Sequence, residues 1–77
     1  MLKDEFFCEV AAILEVGPEK VRDGIELSSY EDWNSIAVIS FIAFVDEKLG
    51  LVVNPKELAL AKKTDDLYAL VREKLDD

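Results

Sequence analysis

The sequence predicts an all-α fold: a four-helix bundle with three longer helices, a short third helix and a long loop between the first two. Three observations support this. Apolar residues recur at the three- and four-residue spacing of an α-helix in several segments. No segment alternates apolar and polar residues as a half-buried strand does. Residues that cap or stop helices stand at the ends of the periodic segments.

The first helix is predicted over residues 2–15. Gly17 followed by Pro18 is expected to end it, because glycine terminates helices and proline cannot continue them. The residues expected to form its buried stripe are Leu2, Phe6, Val10, Ile13 and Leu14.

Residues 16–34 contain the glycines, proline and serines of a loop, with one short turn expected near residues 18–22. Apolar and aromatic residues spaced through the loop should anchor it to the core: Val21, Ile25, Leu27 and Tyr30. A loop of this length in a compact domain is uncommon and often functional.

The second helix is predicted over residues 35–49, stopped by Gly50. Its expected core stripe is Val38, Phe41, Ile42, Val45 and Leu49. Ile36, Ile39 and Ala43 lie on a different face, so the first three turns are apolar nearly all round. A chain of 77 residues has too few elements to cover every side of one helix. The sequence therefore predicts an apolar contact surface here.

The last two helices carry start signals. Asn54 and Pro55 are a capping residue and a first-turn proline, and the short helix they open should end near residue 61. Thr64 is expected to cap the last helix, with Asp65 and Asp66 in its first turn. Its predicted buried stripe is Leu67, Leu70, Val71 and Leu75.

Composition narrows the function. The chain, expected to form a single domain over residues 1–77, has a formal net charge of −8, one cysteine and no histidine. An internal disulfide and a Cys/His zinc site are therefore excluded. The negative charge disfavours binding to nucleic acid or to anionic membranes. It favours electrostatically steered encounters with basic partner surfaces. No signal peptide or membrane span is predicted, so a cytoplasmic protein is expected. We also expect a monomer without a metal site.

Ser35 stands where the long loop meets the second helix. On the residues alone it is a good N-cap, and the capping role is the commoner one for such a serine. Its position suggests a second role, since a helix N-terminus favours an attached phosphodiester through unpaired N–H groups and the helix dipole. The paired carboxylates of Asp65 and Asp66 suggest no catalysis, because no base or nucleophile accompanies them.

Three segments stand in a characteristic order and spacing along the chain: Trp33-Asn34-Ser35-Ile36, Val45-Asp46-Glu47-Lys48-Leu49-Gly50 and Lys63-Thr64-Asp65-Asp66-Leu67-Tyr68. With these segments, the whole chain resembles the acyl carrier protein family. The resemblance implies that Ser35 carries a covalent 4′-phosphopantetheine arm, flanked by the motif residues Trp33, Asn34 and Ile36. It implies a non-catalytic carrier of acyl-carrier fold that holds acyl or related groups as thioesters.

The implied partners are a phosphopantetheinyl transferase, which takes the arm from coenzyme A, and enzymes that load and process the acyl group. The residues expected to dock them are Ile36, Ile39, Ala43, Asp46 and Glu47. Trp33 is expected either to border the arm or to fix the loop to the core, and the second role is favoured.

Two features depart from the family pattern. Asn34 replaces the usual aspartate, which removes a charge expected to help the transferase and its metal ion. Ala37 and Ser40 stand where fatty-acid carriers bear acids in the first two turns. The second departure favours a specialised carrier over a housekeeping fatty-acid carrier. Asn34 keeps open an alternative: an unmodified interaction domain that retains the carrier fold.

Overall fold

A computed structural model of the protein describes residues 1–76. It contains four α-helices: α1 (Lys3–Leu14), α2 (Ser35–Leu49), α3 (Pro55–Ala59) and α4 (Thr64–Val71). Three 3-10 turns, Pro18–Lys20, Leu27–Ser29 and Arg72–Lys74, complete the helical structure. Residues 1–76 contain no β-strand, only an isolated antiparallel bridge between Glu26 and Lys63. The predicted all-α class is confirmed, and the turn at Leu27–Ser29 was not predicted.

Local capping chemistry sets the ends of α2 and α3. Gly50 ends α2 in the left-handed conformation (φ 64°), and its N–H donates to the Asp46 carbonyl. The Asn54 side chain accepts a hydrogen bond of 2.8 Å from the Lys56 N–H at the start of α3. Both signals had been predicted from the sequence.

The end of α1 differs from the prediction. The helix ends before Gly17, because Glu15 itself adopts the left-handed conformation with φ 58°. Its N–H donates to the Ala12 carbonyl, and the Val16 N–H donates to the Ala11 carbonyl. A non-glycine residue tolerates this conformation here because two backbone hydrogen bonds close the helix end.

Four phenylalanine side chains from α1 and α2 form an aromatic cluster within the core. Phe6 and Phe41 are completely buried, with ring centroids 6.0 Å apart in an edge-to-face arrangement. Phe44 stacks on Phe6 at 6.1 Å, and Phe7 lies 5.7 Å from Phe6. Such aromatic pairs contribute about 0.5–1.5 kcal/mol beyond their buried area.

The buried face of α1 is rotated from the predicted stripe. Leu2 is 50% exposed and Ile13 is only half-buried, whereas Phe7 and Ala11 are buried. Two adjacent phenylalanines bury more apolar area than the leucine and isoleucine at the edges, so they determine which face turns inward. On α2, Ala37 and Phe44 are likewise buried, whereas Val38, Ile42 and Leu49 are half-buried.

The long loop is hydrogen-bonded to the start of α4. The Thr64 side chain, completely buried, donates its hydroxyl proton to the Arg22 carbonyl at 2.6 Å and accepts from the Ile25 N–H at 3.4 Å. The Thr64 N–H donates to the Ile25 carbonyl at 2.9 Å, and the Leu27 N–H to the Lys62 carbonyl at 2.8 Å. We call these contacts the loop clasp.

Thr64 is therefore not the cap of the last helix, as the sequence had suggested. It is the first helical residue, and its hydroxyl is used by the loop. Asp66 caps instead, accepting from the N–H groups of Lys62 at 2.8 Å and Lys63 at 3.0 Å. These two backbone hydrogen bonds lower the pKa of the Asp66 carboxyl.

The clasp generates a stability prediction. Thr64→Val keeps the shape of the side chain but leaves the partly buried Arg22 carbonyl without its partner, so the free energy of unfolding should fall by about 1–3 kcal/mol. Thr64→Ser retains the hydroxyl and removes one methyl group, so it should cost about 0.8 kcal/mol. Urea denaturation with an unchanged m-value measures both. A larger loss for the serine variant would show that Thr64 acts through its methyl group.

Candidate functional site

Ser35 is the first residue of α2, and its side chain is exposed. Within residues 1–76, its hydroxyl has no hydrogen-bond partner. α2 fixes the position of Ser35 on one side, and the loop that ends at Asn34 fixes the path of the chain that leads into it. The hydroxyl is thus accessible to an enzyme that modifies serine.

The predicted capping role of Ser35 is wrong, because Asn34 performs it. The Asn34 Oδ1 accepts from the N–H groups of Ile36 at 3.0 Å and Ala37 at 3.1 Å. Its own backbone is extended (φ −136°), and its carbonyl accepts the first helical bond from the Val38 N–H at 2.9 Å. The Ser35 hydroxyl is consequently not needed to begin the helix.

The loop before the site is fixed by two aromatic residues. Tyr30 is buried, and its hydroxyl donates to the Lys20 carbonyl at 2.5 Å. Burial raises the pKa of this phenol, while Arg22 opposes the rise. The half-buried Trp33 ring meets Phe41 edge-to-face at 6.5 Å, and the backbone N–H of Trp33 donates to the Tyr30 carbonyl at 3.2 Å. The favoured role of Trp33, attachment of the loop to the core, agrees with these contacts.

An exposed apolar ridge runs along α2 from the candidate site. Ile36 is 75% exposed and Ile39 67% exposed, and Ala43, one turn further, is also exposed. Their spacing of three and four residues places them on one helix face. Asp46 and Glu47 are exposed at the far end of the helix. All five predicted docking residues are therefore at the surface.

Ala37 is different from the other positions discussed for docking. It is only 4% exposed and packs inward. The sequence comparison with fatty-acid carriers had treated Ala37 and Ser40 as equivalent surface positions, but only Ser40 is exposed. The absence of an acid at position 37 therefore follows from burial and carries little information about partners.

The first turn of α2 has no acidic residue, unlike the other three α-helices of the described chain. Asp4 and Glu5 lie in the first turn of α1, Glu57 in that of α3, and Asp65 and Asp66 in that of α4. Carboxylates near a helix N-terminus interact favourably with the helix dipole. The N-terminus of α2 is capped by a neutral amide and has no such charge.

The structure also adds a feature that the sequence had not suggested. A surface groove adjoins Trp33 and is lined by the loop and by Ala61 and Lys62, which precede α4. Only the tertiary contact between the loop and α4 creates it, so no local sequence signal could have indicated it.

Cys8, on α1, is an exposed lone thiol.

Other chemistry is not apparent in the described part of the chain. Within residues 1–76, no group of three or more His, Cys, Asp or Glu side chains is placed to hold a metal ion. None of the helices described is both long enough and apolar enough to cross a membrane.

Comparison with known proteins provides no assignment, since the chain matches no family model, no curated protein and no solved structure.

The cap geometry predicts how substitutions at the site affect stability. Asn34→Ala removes the acceptor of two N–H groups and should lower the free energy of unfolding by about 0.5–2 kcal/mol. Asn34→Asp keeps an acceptor oxygen and should retain most of that stability. Ser35→Ala should change the stability by no more than about 0.5 kcal/mol, because the hydroxyl has no hydrogen-bond partner in the described part of the chain. Chemical denaturation of the three variants measures this, and a greater loss for Ser35→Ala would return the capping role to Ser35.

Proposed function

We propose that the protein is a carrier whose Ser35 Oγ bears a 4′-phosphopantetheine arm. The observation that carries this proposal is the Ser35 hydroxyl itself, which is exposed at the first position of α2 and has no hydrogen-bond partner among residues 1–76. It occurs within a sequence that resembles acyl carrier proteins along its whole length. The Asn34 side chain caps α2, so modification of Ser35 would break no side-chain hydrogen bond within the described residues 1–76.

The modification would proceed by transfer from coenzyme A. The Ser35 Oγ would attack the phosphorus that bears the pantetheine, forming a new P–O bond, while adenosine 3′,5′-bisphosphate leaves and the transferase accepts the serine proton. The product is a phosphodiester with one negative charge. The terminal thiol of the arm then carries acyl or related groups as thioesters, and that chemistry belongs to the arm and to partner enzymes.

Charge supports a phosphodiester at this position. The first turn of α2 has no acid, so the added anion would meet the positive end of the helix dipole without a repelling carboxylate in that turn. Hydrogen bonding contributes less than the sequence suggested, because Asn34 already uses the N–H groups of Ile36 and Ala37. The dipole is therefore the main interaction available to the phosphodiester.

Partner docking is proposed for the apolar ridge of Ile36, Ile39 and Ala43. A ridge that begins next to Ser35 would bring a bound enzyme close to the arm. Asp46 and Glu47, near the end of α2, would steer basic partner surfaces toward it. The proposed partners are the transferase and the enzymes that load and process the acyl group, and the protein would act as a cytoplasmic monomer.

One alternative function retains the same exposed ridge. An unmodified interaction domain would use Ile36 and Ile39 for binding and have no arm. Asn34 favours it only if the transferase requires a carboxylate before the serine.

The first functional prediction is that Ser35 alone accepts the arm. After incubation with coenzyme A and a broad-specificity phosphopantetheinyl transferase, the intact mass should increase by one phosphopantetheine. Ser35→Ala should gain nothing, and its unchanged stability would show that the fold is intact. Ser28→Ala is the matched control, since Ser28 is also exposed but lies within the loop, and it should be modified like the wild type.

Asn34→Asp separates the two functions. If the wild type stays unmodified with several transferases and Asn34→Asp becomes modified, the neutral amide prevents recognition and the interaction domain is favoured. If both gain the arm, Asn34 is compatible with a working carrier. Failure of both variants would reject the carrier proposal.

The second functional prediction concerns the docking ridge. Burying an isoleucine side chain contributes about 1.5–3 kcal/mol, almost independently of salt. Exposed ion pairs typically contribute about 0–1 kcal/mol and weaken as salt is added. Ile39→Ala should therefore weaken binding of the modifying transferase more than Glu47→Gln does. Calorimetry or surface plasmon resonance measures this difference.

The salt dependence of binding provides a second test of the docking ridge. Moderate salt should slow association more than it accelerates dissociation. The charges mainly raise the association rate, whereas the apolar ridge supplies most of the binding free energy. Ile39 is largely exposed, so the alanine variant should fold, which circular dichroism can verify. A greater effect of Glu47→Gln, with affinity that collapses in salt, would show that docking is electrostatic.

A further inference from the structure

The groove beside Trp33 has a volume of about 380 Å³ and is open to solvent. Its lining combines an apolar base, formed by the buried Leu27 and the half-buried Trp33 and Ala61, with an exposed polar rim. The rim residues are Glu26, Ser28 and Lys62.

The loop clasp holds the two sides of this groove together. The Leu27 N–H donates to the Lys62 carbonyl at 2.8 Å, and Glu26 and Lys63 form the isolated bridge. The Trp33 ring, which also lines the groove, packs edge-to-face against Phe41. Because backbone hydrogen bonds set its walls, the groove exists without a ligand and need not be formed at a cost in entropy.

We infer that this groove is the resting site of the phosphopantetheine arm when no partner enzyme holds it. The inference rests on the proposed modification of Ser35. It identifies a noncovalent subsite for the arm, distinct from the docking ridge on α2.

The chemistry of the groove suits that occupant. The arm is a flexible chain with two amides, a hydroxyl and a pair of methyl groups, attached through an anionic phosphodiester. Its methyl groups match the apolar base of Leu27, Trp33 and Ala61. Its amides match the Ser28 hydroxyl and the Lys62 ammonium, which can also attract the phosphodiester.

The tether makes a weak site sufficient. Trp33 and Ser35 are two positions apart, so their Cα atoms are separated by at most about 7 Å. A short flexible tether gives an effective concentration on the order of millimolar. A groove with only millimolar affinity for the unattached chain would still be substantially occupied, and a partner enzyme could withdraw the arm easily.

Trp33 provides a direct measurement, because it is the only tryptophan in the chain. The wild-type protein is loaded from coenzyme A, and intact mass first establishes that the arm is present. Tryptophan emission is then compared before and after loading. We expect a shift to shorter wavelength as the arm replaces water beside the ring. Magnetic resonance should give nuclear Overhauser effects between the methyl groups of the arm and both Trp33 and Ala61.

Two serine substitutions form a matched pair. Ser28→Phe places a large side chain at the rim of the groove and should abolish most of the emission shift. Ser40→Phe makes the same change at an exposed serine that does not line the groove, so the shift should persist. Both variants keep the phosphodiester, so the comparison separates contact with the arm from the effect of the added charge.

The outcomes distinguish this inference from the proposed function. A mass gain with no emission shift and no Overhauser effects at Trp33 would overturn the groove assignment and leave the carrier function standing. The same follows if the shift survives Ser28→Phe, or if the Overhauser effects involve Ile25 and Tyr30 in the larger groove of about 470 Å³. Absence of any mass gain would reject the carrier function and, with it, this occupant.

Discussion

The buried hydroxyl of Thr64 is the contact on which the arrangement of the loop depends. It joins the Arg22 carbonyl to the start of α4, and the neighbouring backbone bonds of Ile25 and Leu27 extend the connection. Residues from the same loop, Tyr30 and Trp33, then pack on the core and lead directly into α2. The direction from which the chain enters Ser35 is therefore determined by a hydrogen-bonded site some thirty residues later in the sequence. Because the walls of the Trp33 groove are the two segments that this clasp joins, the same contact also forms the groove.

Features governed by neighbouring residues could be predicted from the sequence. The ends of α2, the cap of α3 and the exposure of Ile36 and Ile39 follow from local spacing and local hydrogen bonds. The wrong predictions concern residues whose burial or hydrogen bonding is determined by residues distant in the sequence. Phe7 replaces Leu2 on the buried face of α1 because its ring packs against those of Phe6 and Tyr68, with centroids 5.7 and 6.4 Å away. Thr64 gives its hydroxyl to a distant carbonyl, and a short-range rule cannot foresee that. At the candidate site, the prediction of Ser35 as the cap is wrong, because serine and asparagine both cap helices well and residue type alone does not identify the cap.

Asn34 connects the stability of the site with its charge. As an amide it supplies the acceptor that the first turn of α2 needs, and it does so without the negative charge that an aspartate would bring. The cap and the proposed attachment point are consequently separate residues. This separation matters for a protein with a net charge of −8, because an added phosphodiester meets general repulsion from the surface. A neutral first turn reduces that repulsion where the anion would be attached, and the helix dipole offsets part of the remainder.

The exposed ridge on α2 is a consequence of how the core is filled. Phe6, Phe41 and Phe44 occupy the space between α1 and α2, and Ala37 and Val45 complete the same buried face. A helix can turn only one face inward, so Ile36 and Ile39 remain outside although they are as apolar as the residues that are buried. Leaving them in water gives up about 25 cal/mol for each Å² that a core position would have covered. A net charge of −8 would oppose self-association through this ridge, since two copies would bring like charges together. A basic partner with an apolar surface meets no such repulsion. If the ridge docks a partner as proposed, the net charge would favour a basic protein over a second copy of the chain.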